Sequence, residues 1–231
     1  MEIDRKAFRS LSSGLYIISS IDAGGRLCGC VVNTLLQVAS DPAQLLVSIN
    51  KQNATADAVS TSKRFCASVL SQDTTMDLIG TFGFKSSKDI DKFSEFDHDI
   101  CESGLPRLTH DTLATFEVSV DSTIDVGTHL VFIGTVKSAE VMGEGTPITY
   151  DYYHRVLRGK TPAKAASYND GDDPAKDEIV EVEETASSEQ KVAWRCKMCG
   201  YTVEGYPDGL PEDWRCPLCG MGRDYFEKVL I

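Results

Sequence analysis

Several features that would settle the class of this chain are missing from it. No apolar run approaches the roughly 18 residues that a membrane span needs, so none is expected among its 231 residues. The opening stretch MEIDRKAFRSLSSG has no apolar h-region, and a cytoplasmic location is the expectation. Basic residues are scarce, 23 Lys and Arg against 35 Asp and Glu, for a net charge of -12. A surface of that sign repels nucleic acid and anionic membranes, so neither is expected as a partner. A basic patch on another protein would suit it. G-x-G-x-x-G and G-x-x-x-x-G-K-S/T are both absent, which disfavours a Rossmann nicotinamide domain and a P-loop ATPase. There is no H-E-x-x-H and no EF-hand pattern, and His98, His110, His129 and His154 lack metal-like spacing.

Cysteine is what the chain does have, and it is unevenly placed. Cys28, Cys30, Cys66 and Cys101 are scattered, whereas Cys196, Cys199, Cys216 and Cys219 form two C-x-x-C pairs. Without a secretion signal, a disulfide framework is disfavoured. Cys28 and Cys30 fall on one face of a strand and read as small buried residues, not as a redox pair. The two C-x-x-C pairs, sixteen residues apart, can place four thiolates at the corners of a tetrahedron. That suits zinc or iron, and spacing alone leaves both open, including a zinc ribbon that serves only to stabilise or dock.

Charge marks a boundary. Residues 170–190 contain nine acids and one lysine, a net of -8. A run of like charge with few large apolar residues cannot bury much surface and reads as an extended linker. The 41 residues after it carry six basic and six acidic side chains. A module so small has a thin core and usually needs a metal or disulfides. The expected organisation is a domain over 1–168, an acidic linker over 169–190 and a metal module over 191–231.

The first 168 residues read as strand-rich. A short helix is expected over Asp4–Ser13, with strands over Leu15–Ile21 and Leu27–Val32, the latter closing at NTLLQVASDP. Further strands are expected over Gln44–Ile49, Phe65–Leu70, Thr115–Asp121 and His129–Met142. Helices are expected over Thr55–Ser62, with Asn53 as a possible cap, and over Thr75–Phe82. Short strands in this number predict a mainly β chain, an antiparallel barrel with helices at its rim.

Two resemblances sharpen this. Cys196, Cys199, Gly200 and Tyr201, then Leu210, Pro211, Trp214, Cys216, Pro217, Cys219 and Gly220, resemble the rubredoxin pattern, in which four cysteines hold one iron. The segment between the pairs is shorter than in free-standing rubredoxins, which should alter surface exposure and leave the ligand set intact. Five earlier stretches, in order, resemble the flavin reductase family, the FMN-binding split barrel. They are GRLCGCVVNTLLQVASDP (25–42), LVSINKQNAT (46–55), GTFGFKSSKDIDKF (80–93), VGTHLVFIGTV (126–136) and TYDYYHRVLRGKTPAKAASY (149–168).

The resemblance implies FMN bound between these stretches. Its dianionic phosphate wants hydroxyls, amides and a cation, which Asn33, Thr34, Lys51, Asn53, Thr55, Ser86, Ser87 and Lys88 can offer. Gln37 would lie near the ring or ribityl tail, and Ser48 and Ile49 would line the pocket through backbone atoms. His129 would help position the hydride donor, and His154 would border the site. The fusion as a whole resembles the high-molecular-weight rubredoxins of anaerobic bacteria. That implies a homodimeric oxidoreductase carrying electrons from NAD(P)H through FMN to iron, and on to a flavodiiron protein that reduces oxygen or nitric oxide. A free-flavin reductase that releases reduced FMN, and an FMN and iron carrier reduced by another protein, are the competing readings.

Overall fold

The computed structural model describes residues 3–162, 165–168 and 192–230. The stretch 169–190, read above as a linker, lies outside the described residues. Among the described residues no helix is long and apolar enough to cross a membrane.

A 3-10 turn over Arg5–Ser10 stands where the first helix was expected. There follow β1 (Tyr16–Ile21), β2 (Leu27–Val32), β3 (Leu35–Ser40) and β4 (Ala43–Asn50), then α1 (Ala54–Ser62) and β5 (Arg64–Leu70). Helix α2 (Met76–Phe84) comes next, then a small hairpin of β6 (His98–Ile100) and β7 (Pro106–Leu108). Two long strands, β8 (Thr112–Asp125) and β9 (His129–Val141), precede α3 (Tyr150–Arg155). Both expected helices begin at a side-chain cap, which satisfies an amide that the first turn leaves open. The Asn53 carboxamide oxygen accepts from the Thr55 amide at 3.0 Å, and the Thr75 hydroxyl from the Leu78 amide at 3.3 Å.

Seven strands pair antiparallel in the order β2-β1-β5-β8-β9-β4-β3. The outermost two, β2 and β3, are joined only by Asn33 and Thr34. A flat sheet of this width would hold its edges about 29 Å apart, yet that link spans at most about 11 Å. The sheet must therefore curl until its edges meet at Asn33. Side chains close the seam: Cys30 and Val32 of β2 pack with Leu35 of β3 and with Val47, Ile49, Phe65 and Phe132 inside the barrel. A second core joins the outside of the barrel to α2 and α3 through Ile17, Ile79, Phe82, Phe93 and Tyr153. Each such side chain contributes roughly 1.5–3 kcal/mol on burial.

Lys92 is the exception within this second core. It is 1% exposed, and its ammonium donates to the carbonyls of Gly29 at 2.8 Å and Phe82 at 3.1 Å. Burial lowers its pKa to about 8. In the unfolded chain the lysine holds its proton to about 10.5. Between those values the unfolded state binds more protons, so this group's effect on stability rises with pH. Wild type should therefore gain, relative to Lys92→Met, on going from pH 7 to pH 10 in denaturant titrations. A difference independent of pH would show that the lysine keeps an ordinary pKa.

The C-terminal residues form a separate three-stranded sheet of β10 (Val192–Cys196), β11 (Thr202–Glu204) and β12 (Phe226–Leu230), in the order β11-β10-β12. Its small core holds Cys196, Cys199, Leu210, Cys216, Leu218 and Phe226.

Candidate functional site

The curled sheet leaves a cavity where its edges meet. It is bordered by Cys30 to Asn33 of β2 and the seam, by Ser48, Ile49 and Asn50 at the end of β4, and by Asn53 at the head of α1. His129, at the start of β9, lies across from Asn50 in the β4–β9 register. Ile79, Gly83 and Phe84 of α2 and Tyr150 and Tyr153 of α3 complete the wall, together with Pro162, Ala165 and Ala166. One side is thus apolar and aromatic, and the other carries amides and an imidazole. Such a lining suits a flat ring with a polar tail.

The predicted residues divide by position. Asn33, Ser48, Ile49, Asn53 and His129 all border the cavity. His129 is 9% exposed, and its Nδ1 lies 2.8 Å from the Thr128 hydroxyl, which fixes the ring. The Thr55 hydroxyl is buried against the Cys30 thiol, with no conventional hydrogen-bond partner among the described residues. Burial raises Cys30 to about 11, so it stays a thiol.

The remaining candidates lie outside this lining. The Thr34 hydroxyl donates to Asn33 Oδ1 at 3.2 Å, and Gln37 donates to the Ala39 carbonyl at 3.2 Å. Lys51 pairs with Asp125, and Lys88 with Asp57 at 3.3 Å. The Ser86 hydroxyl accepts from the Lys88 amide at 3.1 Å, while Ser87 is buried against Gly29. His154 Nδ1 sits 2.8 Å from the Gly159 carbonyl, and its ring meets Tyr150 edge-on.

Tyr150, Tyr153, Ile79 and Gly83 are lining residues that sequence reasoning did not single out. The available signal was the i, i+3 spacing of Tyr150 and Tyr153 and the i, i+4 spacing of Ile79 and Gly83, each of which puts two residues on one helix face. Burial holds the Tyr153 phenol well above the usual tyrosine range.

The second site is the four-cysteine cluster, whose sulfurs all lie within 4.8 Å of one another. Cys196 and Cys219 are 3.6 Å apart, and Cys199 and Cys216 3.5 Å. Four sulfurs about 2.3 Å from a central ion would be about 3.8 Å apart, so the cage is already near metal size. Its two halves repeat one turn. The Gly200 amide donates to the Cys196 carbonyl and the Gly220 amide to the Cys216 carbonyl, each at 2.8 Å. Gly200 has φ +83 and Gly220 φ +74, values a side chain would strain. Backbone amides of Tyr201 and Met221 are thereby aimed at the sulfurs of Cys199 and Cys219. Crowding splits the thiols: their mutual hydrogen bond raises Cys199 and lowers Cys216 to about 5. A cation resolves that conflict by taking all four as thiolates.

These two sites define a chain with a split-barrel cavity and a tetrathiolate module. Residues 8–160 match the Flavin reductase like domain, and residues 194–227 match the Rubrerythrin, rubredoxin-like domain. The chain belongs to the flavin reductase family. It is 42% identical to High molecular weight rubredoxin of Moorella thermoacetica over 240 aligned residues, covering 98% of this chain and 100% of that relative. It is 40% identical to Ferric-chelate reductase (NAD(P)H) of Archaeoglobus fulgidus, covering 72% of this chain and 98% of the relative. The structure of the styrene monooxygenase flavin reductase from Pseudomonas putida S12 superposes with a TM-score of 0.55 at 24% identity, over 63% of this chain and 90% of that one. That likeness concerns the fold alone.

Proposed function

We propose that this chain is an oxidoreductase that takes electrons from NAD(P)H into FMN held in the cavity and passes them to one iron held by Cys196, Cys199, Cys216 and Cys219. The observation that carries the reading is the presence, in one chain, of a cavity in a flavin reductase like domain and a compact cage of four thiols. FMN supplies the conversion of a two-electron hydride into single electrons, and a tetrathiolate iron takes one electron at a time.

The protein's part is placement. Ile79, Tyr150 and Tyr153 give the flavin ring an apolar wall and keep water from it. Asn33, Ser48, Ile49 and Asn53 hold its polar tail. His129, braced by Thr128, positions the nicotinamide. Thr34, Gln37, Lys51, Thr55, Ser86, Ser87, Lys88 and His154 are the outer candidates for phosphate and tail, and binding would exchange or share their present contacts. The proposed division is a flavin domain over 1–168, a tether over 169–190 and an iron module over 191–231.

Ferric-chelate reduction is the activity in the name of one relative, and it fits a chain that delivers single electrons to iron. We further assign a homodimer, with exposed Leu36 and Val38 of β3 as apolar contact surface, and a flavodiiron oxygen or nitric oxide reductase as the outside acceptor. Sedimentation at the dimer mass and reoxidation of the reduced iron by a flavodiiron protein are the respective checks.

The central test is an anaerobic visible spectrum before and after NADH and then NADPH. The flavin band is expected to bleach with at least one nucleotide, and the ferric–thiolate bands to bleach with it. A flavin that neither nucleotide touches would turn the reading to a carrier fed by another protein. A colourless metal would mean a zinc ribbon, and flavin lost on gel filtration a free-flavin reductase.

A further inference from the structure

Helix α2 touches both sites. Its Ile79 and Gly83 border the cavity, while Met76 packs on the module's core and Gly80 meets Leu218. Each pair is one turn apart, so the pairs form adjoining stripes on a helix about 10 Å across. The module meets this helix with its metal-holding turns. Leu218 lies between Cys216 and Cys219 and is 2% exposed. A Cβ added at Gly80 would fall 3.0 Å from Leu218 Cδ2. On the other turn, a Cβ at Gly200 would fall 2.6 Å from the Arg158 carbonyl oxygen.

A bonded path runs beside this contact. Tyr153 borders the cavity, and its hydroxyl donates to the Lys160 carbonyl at 3.0 Å. The Lys160 ammonium in turn donates to the Lys197 carbonyl at 3.1 Å, two residues before Cys199.

The geometry points to this seat, made by α2 and the 158–160 segment, as the position in which the metal module receives electrons from the cavity, with Gly80 as the residue that lets the two surfaces close. The inference rests on the function proposed above. One electron crosses, from reduced flavin to Fe(III), giving Fe(II), and no bond is made or broken. Tyr153, Lys160 and Lys197 are positioning residues that link the cavity wall to the cysteine turn. Cys219 stays partly exposed while the module is seated, which leaves a side for the outside acceptor. A glycine inside a helix weakens it, so its place against Leu218 has a use.

The test is Gly80→Gln in the full chain. Glutamine favours the helix, so α2 is not weakened, but its side chain cannot share space with Leu218. The first readout needs no redox chemistry. In zinc-loaded protein, amides 76–84 and 218–220 should exchange about tenfold faster than in wild type, as the over-packed seat opens. In the iron- and FMN-loaded protein, bleaching of flavin by nucleotide should be unchanged, while reduction of the iron slows about tenfold or more. Lys160→Met should shift both readouts in the same direction. Unchanged exchange would overturn the seat. Faster exchange with iron reduction at the wild-type rate would overturn its role in transfer. A wild type whose iron never follows its flavin would instead sink the functional reading, which the exchange measurement does not depend on.

Discussion

Replacing Cys199 by serine is expected to abolish metal binding and unfold the C-terminal module, while the flavin cavity stays intact. Cys199 is fully buried, and its sulfur lies 3.5 Å from that of Cys216. A serine hydroxyl does not ionise to take the thiolate's place, and it is a hard, weak ligand for a site built for soft sulfur. The damage spreads because the module has so little else. Half of its six buried core residues are metal-cage cysteines. Metal and core are thus one structure, and structural zinc in modules of this size supplies about 10–16 kcal/mol. Metal analysis should find the ion lost, and the near-UV dichroism of Trp194 and Trp214 should collapse. The cavity draws its lining from residues between Leu15 and Ala166, so FMN should still copurify. Loss of flavin and metal together would count against two independently built sites.

The second large effect is expected at Gly134, in the middle of β9. It pairs with Val120 beside an irregularity in β8. A Cβ there would lie 2.4 Å from the Ser119 carbonyl oxygen and 2.9 Å from its carbon. Both atoms are backbone, so neither can swing aside as a side-chain end could. Gly134→Val must therefore prise β8 from β9 at the centre of the sheet. A cost of about 3 kcal/mol is expected, or roughly 10 °C in Tm for a chain of this size. The site should feel it, since β9 starts at His129 and pairs with Ser48 and Ile49 of β4. Calorimetry and flavin titration would report the two losses. A Tm within 2 °C or so of wild type would mean that the strands part more easily than their pairing implies.

Local signals were legible in the sequence and long-range ones were not. Asn53 and Thr75 cap their helices as their residue types predict, and β2 runs over the expected Leu27–Val32. The four cysteines could be read because all the ligands lie within 24 residues and two identical turns. Strand β3 escaped because Leu36 and Val38 are exposed at 55% and 47%, so its burial does not alternate, and Asp41-Pro42 looks like the end of a loop. Helix α3 is hard to read from sequence because its six residues, YDYYHR, are rich in aromatics that favour strands. The β6–β7 hairpin has only three residues per strand. The cavity is harder still, being assembled from β2, β4, β9, α2 and α3. In the stretch FKSSKD, composition alone promises a phosphate loop, yet Ser87 turns inward to Gly29. Composition carries no information about which way a hydroxyl faces.

The double duty of α2 also limits how its length can change. Each residue turns the helix by roughly 100°. One residue inserted between Met76 and Ile79 would rotate everything after it by that amount, moving the glycine off Leu218 and turning Ile79 away from the cavity. A deletion would do the reverse. The surface turn at 143–146 carries no such pairing of faces and can lengthen with little consequence. Relatives that keep both sites should thus vary freely in loop length there, while holding nine residues in α2 to the letter.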